Sequence, residues 1–116
     1  MLLKNRFRKY LPVIVDLETG GFNPEVNPIL EIALQFVDLE ENSFVLGESV
    51  RYHLVPADGL ILNKEALEFT KIELNHPLRN AVTTEEALKS ICKIVNKKRS
   101  EHECSRAILV GHNAHF

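Results

Sequence analysis

The stretch at residues 11–17, LPVIVDL, is apolar and rich in β-branched residues. A run of that length and composition predicts a strand in the middle of a sheet. The rest of the chain must therefore supply neighbouring strands. Asp16 and Glu18 stand two residues apart at the end of this run. Strand side chains alternate between faces, so residues i and i+2 share one face. Two like charges side by side repel, and such an arrangement needs a compensating gain.

The sequence TGGFNPEVNP follows, with two glycines, two prolines and two asparagines, and predicts a tight loop. Residues 29–39 alternate as Ile32, Leu34, Phe36 and Asp38 against Ala33, Gln35, Val37 and Leu39. That pattern fits a strand better than an amphipathic helix. Residues 44–55 predict a third strand, with Gly47 at a bulge or kink. PADG then turns the chain. A short helix is expected over residues 63–68, with Asn63 as its N-cap. Thr83 or Thr84 caps a second helix, whose stripe of Ala87, Leu88, Ile91, Cys92 and Val95 is expected to face the core. Residues 107–111, AILVG, predict a last, buried strand. The order β-β-β-α-α-β defines a mixed α/β fold. An antiparallel meander comes first, and a right-handed helical crossover then brings in a parallel strand.

The chain has 116 residues, which fits one domain. Its net charge of -2 gives no global support for nucleic-acid binding, but the field that matters is that of one surface. Lys4, Arg6, Arg8 and Lys9 alternate with Phe7 and Tyr10 in a segment expected to be a solvated arm. The two cysteines, Cys92 and Cys104, form no disulfide framework, which fits a reducing, cytoplasmic setting. The N-terminus is basic and then apolar, but Asp16 cuts the apolar part short and no cleavage site follows, so no leader is expected. No run approaches the roughly 18 apolar residues of a membrane span.

An Asp-x-Glu pair on its own is often a solvated rim. This pair stands where ligands of α/β sheets gather, and Gly20 and Gly21 let a substrate come close. A divalent cation would turn the repulsion into attraction. Hard oxygen donors suit Mg²⁺ or Mn²⁺ better than zinc. Metal pairs about 3.5–4 Å apart cleave phosphodiesters by activating water and holding the leaving oxygen.

VIVDLETGGF resembles the first motif of the DEDD superfamily of 3′→5′ exonucleases, and GHNAHF resembles the start of its second motif. With RFRKYLPVIVDLETGGFN, NKEALEFTKI and SRAILVGHNAHF, the chain is similar from about Arg6 to Phe116 to the ribonuclease T family of the DEDDh group. The resemblance implies a ribonuclease H-like fold and metal-dependent trimming of the 3′ ends of tRNA and other stable RNAs. The same resemblance admits single-stranded DNA as a partner beside RNA 3′ ends, leaves activity on DNA open, and implies that the full-length protein is a homodimer. It implies that Asp16 and Glu18 are catalytic metal ligands, in the complete site for two ions. Phe22, Phe69 and Phe116 match aromatic residues that stack on terminal bases, and Glu65 matches a carboxylate that reads them. Arg6, Arg8 and Arg106 match a basic patch that feeds RNA to the partner subunit, with Lys97, Lys98 and Arg99 as an extension.

By the same resemblance, residues 1–116 are expected to be an incomplete exonuclease domain lacking its C-terminal portion. Two further carboxylates and the general-base histidine find no match, and Phe116 directly precedes the position of the next ligand. The chain alone is expected to be inactive or nearly so. The alternative is a non-catalytic RNA-binding or dimerisation module. His112 and His115 do not match the catalytic histidine motif, and a zinc site with Cys104 has an unconventional spacing.

Overall fold

A computed structural model gives the structure and describes residues 2–112. Phe116 and His115 lie outside the described residues. The sheet is built from β1 (Tyr10–Thr19), β2 (Ile29–Glu40), β3 (Ser43–His53) and β4 (Arg106–Val110), with helices α1 (Lys64–Thr70) and α2 (Thr84–Glu101) between the last two. The strand order is β3-β2-β1-β4. β1–β2 and β2–β3 are antiparallel, and β4 runs parallel to β1. The predicted order and strand directions are those observed.

The local chemistry explains each element. Glu41 and Asn42, both at positive φ (50° and 65°), close a two-residue hairpin between β2 and β3. Opposite β2, the step from Gln35 to Val37 faces the longer step from Ser49 to Leu46, so Gly47 does lie in a bulge. A side chain at Gly47 would run into the Asp38 carboxylate. Asn63 caps α1 by accepting from the backbone N–H groups of Glu65 and Ala66 at 2.9 and 3.2 Å. Thr83 caps α2 through its hydroxyl, which accepts from Glu86 N–H at 3.2 Å.

The core lies between α2 and one face of the sheet. Leu11, Val13, Leu34, Phe36 and Leu39 meet Ile91, Leu3 and Cys104 there. Burying each large side chain stabilises the fold by roughly 1.5–3 kcal/mol.

Four expectations are corrected. The basic N-terminal segment is no free arm: a 3₁₀ turn over Leu3–Asn5 puts Leu3 wholly inside the core. Leu88 and Cys92 are exposed, because the buried stripe of α2 runs through Ala87 and Ile91 with Ile94 and Val95 beside it. One residue of helix is about 100° of rotation, which carries positions 88 and 92 off that stripe. β4 is an exposed edge strand, with Leu109 65% exposed. The basic end of α2 is engaged within the fold. Lys98 pairs with Glu48 at 3.2 Å and lies over the Phe36 ring, and Arg99 donates to the Cys104 carbonyl at 2.9 Å.

Candidate active site at the end of β1

Asp16 and Glu18 do share one face of β1. Asp16 stands opposite Ala33 and Glu18 opposite Glu31 on β2. The register shifts between Glu18 and Thr19, and the chain leaves the ladder for the loop after Thr19 pairs with Ile29. The loop is then fixed by its own polar groups. The Thr19 hydroxyl donates to the Gly21 carbonyl at 2.6 Å, and Gly20 N–H donates to the Pro28 carbonyl at 2.8 Å. A Cβ at Gly21 would collide with the Asn27 amide, which holds Asn23 N–H on one side and the Ile61 carbonyl on the other. Asn63 N–H donates to the Gly20 carbonyl at 2.6 Å. The residue that caps α1 thus also ties that helix to the loop after Glu18.

The consequence is a cleft of about 540 Å³ that gathers Asp16, Glu18, Phe22, Phe69 and Thr70, with His112 at its edge. Phe22 and Phe69 are each 84% exposed. Neither serves the core, and a flat aromatic surface in a cleft is available to a stacking ligand. Glu65 is exposed on α1 and does not line the cleft. His112 is not among the expected site residues, and only the parallel pairing of β4 with β1 brings it there.

Arg6, Arg8 and Arg106 cluster elsewhere. Arg6 and Arg8 border a groove with Tyr10, and Arg106 pairs in register with Tyr10 at the start of β1. At about 3.3 Å per residue, Glu18 lies roughly 26 Å along the strand from that point.

Burial, the Asp16 charge and then Glu31 push the Glu18 carboxyl above its ordinary value of 4.5, and Arg51 opposes them. Glu31 is itself held by Arg51 Nε at 2.8 Å and lies 3.8 Å from His53 Nδ1. A cation between Asp16 and Glu18 would relieve this strain, and their oxygens suit a hard divalent ion. Among the described residues no three His, Cys, Asp or Glu side chains converge on one point. The pair therefore fits a divalent ion as part of a ligand set.

The fold and the site together define a nuclease-like α/β domain. The exonuclease model RNase_T matches residues 13–115, and the chain belongs to this exonuclease family. It is 47% identical to ribonuclease T of Vibrio vulnificus (strain CMCP6), over 100% of this chain and 54% of that protein. It is 46% identical to ribonuclease T of Vibrio cholerae serotype O1, over 100% of this chain and 53% of that protein. The chain thus spans about half the length of these relatives. Among solved structures, Escherichia coli exonuclease I in complex with a dT13 oligonucleotide superposes with a TM-score of 0.66 at 18% identity, over 90% of this chain and 20% of that one. Exonuclease I from Methylocaldum szegediense gives 0.67 at 21% identity, over 90% and 20%. These likenesses show the fold, which is ribonuclease H-like.

Proposed function

We propose that this chain carries the first half of the active site of a 3′→5′ exoribonuclease that trims tRNA and other stable RNA 3′ ends. The observation that carries this reading is the meeting of an acidic pair and two exposed phenylalanines in one cleft, from two separate segments, the end of β1 with its loop and α1. Phe22 and Phe69 hold terminal bases by stacking, which tolerates sequence, as end trimming requires. Asp16 and Glu18 hold Mg²⁺ or Mn²⁺, and an ion bound there supplies charge neutralisation and activation of water. By the family resemblance Glu18 would also face the terminal ribose and Phe116 a terminal base, while Glu65, exposed on α1 outside the cleft lining, would reach the end only from beside it. Two carboxylates do not hold two ions on their own, and no cleft residue is assigned to deprotonate water. Full turnover therefore belongs to the longer, homodimeric protein, which is cytoplasmic.

The position of the arginine cluster supports the dimer. Some 26 Å of strand separates it from Glu18, too far to serve the same terminal nucleotide, so it suits a strand entering the partner's cleft. Among the described residues no helix is long and apolar enough to cross a membrane.

Binding of a fluorescein-labelled single-stranded RNA, followed by anisotropy, tests the cleft. Phe22→Ala and Phe69→Ala should each weaken binding by about ten-fold, the equivalent of roughly 1.4 kcal/mol within the 1–3 kcal/mol range for one stacked base. Unchanged affinity in both variants refutes the assignment. Incubating the chain with 3′-tailed RNA and Mg²⁺ separates the enzyme half-site from a complete enzyme. Turnover that disappears in Asp16→Ala would overturn the claim that these residues are insufficient.

A further inference from the structure

His102 is a buried histidine remote from the acidic cleft. It terminates α2 as its C-cap and is 7% exposed. Leu3 N–H donates to its Nδ1 at 3.1 Å. Nδ1 must therefore be unprotonated, which puts the ring proton on Nε2. That nitrogen donates to Asp38 Oδ1 on β2 at 3.2 Å. Asp38 thus fixes the tautomer that Leu3 requires. The glycine at position 47 leaves room for the Asp38 carboxylate. The contact joins residues 99 apart in sequence.

Beyond Leu3 the chain forms a tight, self-bonded segment. Arg6 N–H donates to the Leu3 carbonyl at 3.0 Å, Lys9 N–H to Lys4 at 2.9 Å and Tyr10 N–H to Phe7 at 2.9 Å. Arg8 and Lys9 sit at positive φ, 51° and 66°, a conformation that non-glycine residues hold only when their surroundings impose it. Phe7 stacks on Phe44 with ring centroids 5.7 Å apart, and the Arg6 guanidinium lies 5.4 Å from the Phe44 centroid. The positions of Arg6 and Arg8 therefore depend on Leu3 being seated. The exposed Lys4–Glu103 pair adds little to that seating.

We infer that His102 is a positioning residue for RNA binding: its Nδ1 seats Leu3, and the seated segment presents Arg6 and Arg8 as a fixed pair of phosphate contacts. This rests on the basic-patch part of the proposed function. A charged pair on a free arm would lose conformational entropy on each binding event, and a docked pair has lost it already.

The test compares His102→Asn, whose amide reaches the position of Nδ1, with His102→Gln, which reaches that of Nε2, and with His102→Phe. Docking is read by the rate of tryptic cleavage at Arg6, Arg8 and Lys9, with far-UV circular dichroism confirming the fold. Cleavage should accelerate at least ten-fold in His102→Gln and His102→Phe and stay near the parent rate in His102→Asn. Equal protection in the Asn and Gln variants, or better protection in Gln, overturns the assignment. Because only one member of that pair keeps the Leu3 acceptor, the comparison holds even where Phe disturbs folding.

Binding of the labelled single-stranded RNA across a salt series gives the functional arm. Loss of two phosphate contacts should reduce the log–log salt slope by roughly 1.4. The Arg6→Gln/Arg8→Gln double variant should show this, and His102→Gln should approach it. A double variant that binds like the parent refutes the basic patch and this inference with it. A weakened double variant beside an unaffected, cleavage-sensitive His102→Gln refutes the inference alone.

Discussion

Glu18 binds its proton more tightly in the folded chain than in the unfolded one, because burial, Asp16 and Glu31 all disfavour its charge. Between 4.5 and the raised value the native state holds more protons than the unfolded state, so stability falls as pH rises through that window. The stabilising contribution is complete below 4.5 and is lost as the pH rises through the raised value. Glu18→Gln removes the charge that causes this. In EDTA its thermal midpoint should exceed that of the parent at pH 7, and the difference should vanish at a pH below 4.5. Mg²⁺ should raise the midpoint of the parent and leave Glu18→Gln nearly unmoved, since binding to the native state alone stabilises it. Thermal unfolding followed by circular dichroism measures all of these. A variant no more stable than the parent at pH 7 would mean that Arg51 already neutralises the site.

At the scale of elements, the cleft depends on α1, a seven-residue helix. A helix that short is marginal by itself, so its cap and its tethers decide whether it forms. Asn63→Ala removes the oxygen that serves Glu65 and Ala66 N–H, at a cost of about 0.5–2 kcal/mol, and should weaken RNA binding through the displaced Phe69. Arg79 anchors the connection that follows, donating from Nη2 to the Leu30 and Leu54 carbonyls at 3.0 and 2.7 Å. Arg79→Met leaves both carbonyls without this donor and should cost about 1–3 kcal/mol in urea unfolding. A loss below 0.5 kcal/mol in either variant, on the order of an ordinary surface change, would deny these roles. The two anchors differ in how far the sequence reveals them. Asn63 acts on residues two and three positions away, so its role is written locally. The partners of Arg79 are 49 and 25 residues distant, and those of His102 are 99 and 64. No periodicity or spacing exposes such pairs. For the same reason Asp16, Glu18 and Phe22 group together from one short stretch. Phe69 joins them only through the family resemblance, and the docking of the basic segment has no local signature at all.

For the whole molecule, the sheet has one covered and one open face. Leu11, Val13 and Phe36 pack under α2, while Ile14, Phe44, Ile108 and Val110 border an open groove of about 740 Å³ with Phe7, Tyr10 and Val37. Ile108 is 49% exposed, and the outer edge of β4 has no strand partner among the described residues. A parallel strand normally has both faces covered, and an exposed apolar patch beside a free edge promotes association. The 116-residue chain should therefore self-associate through this face. Ile108→Lys places a charge in the groove beside Arg6 and Arg8 without entering the α2 core, because Ile108 is in register with Pro12 on the open side of β1. In sedimentation velocity the parent's weight-average coefficient should climb with concentration, and that of Ile108→Lys should stay near the monomer value. Because the proposed reading has the arginines of one copy serve the cleft of the other, RNA affinity should fall together with self-association in Ile108→Lys, even though the added charge raises positive potential near the arginine cluster. RNA affinity that holds or increases at low salt in the monomeric variant would instead show that the arginines contact RNA without a partner's cleft, and would overturn the shared site.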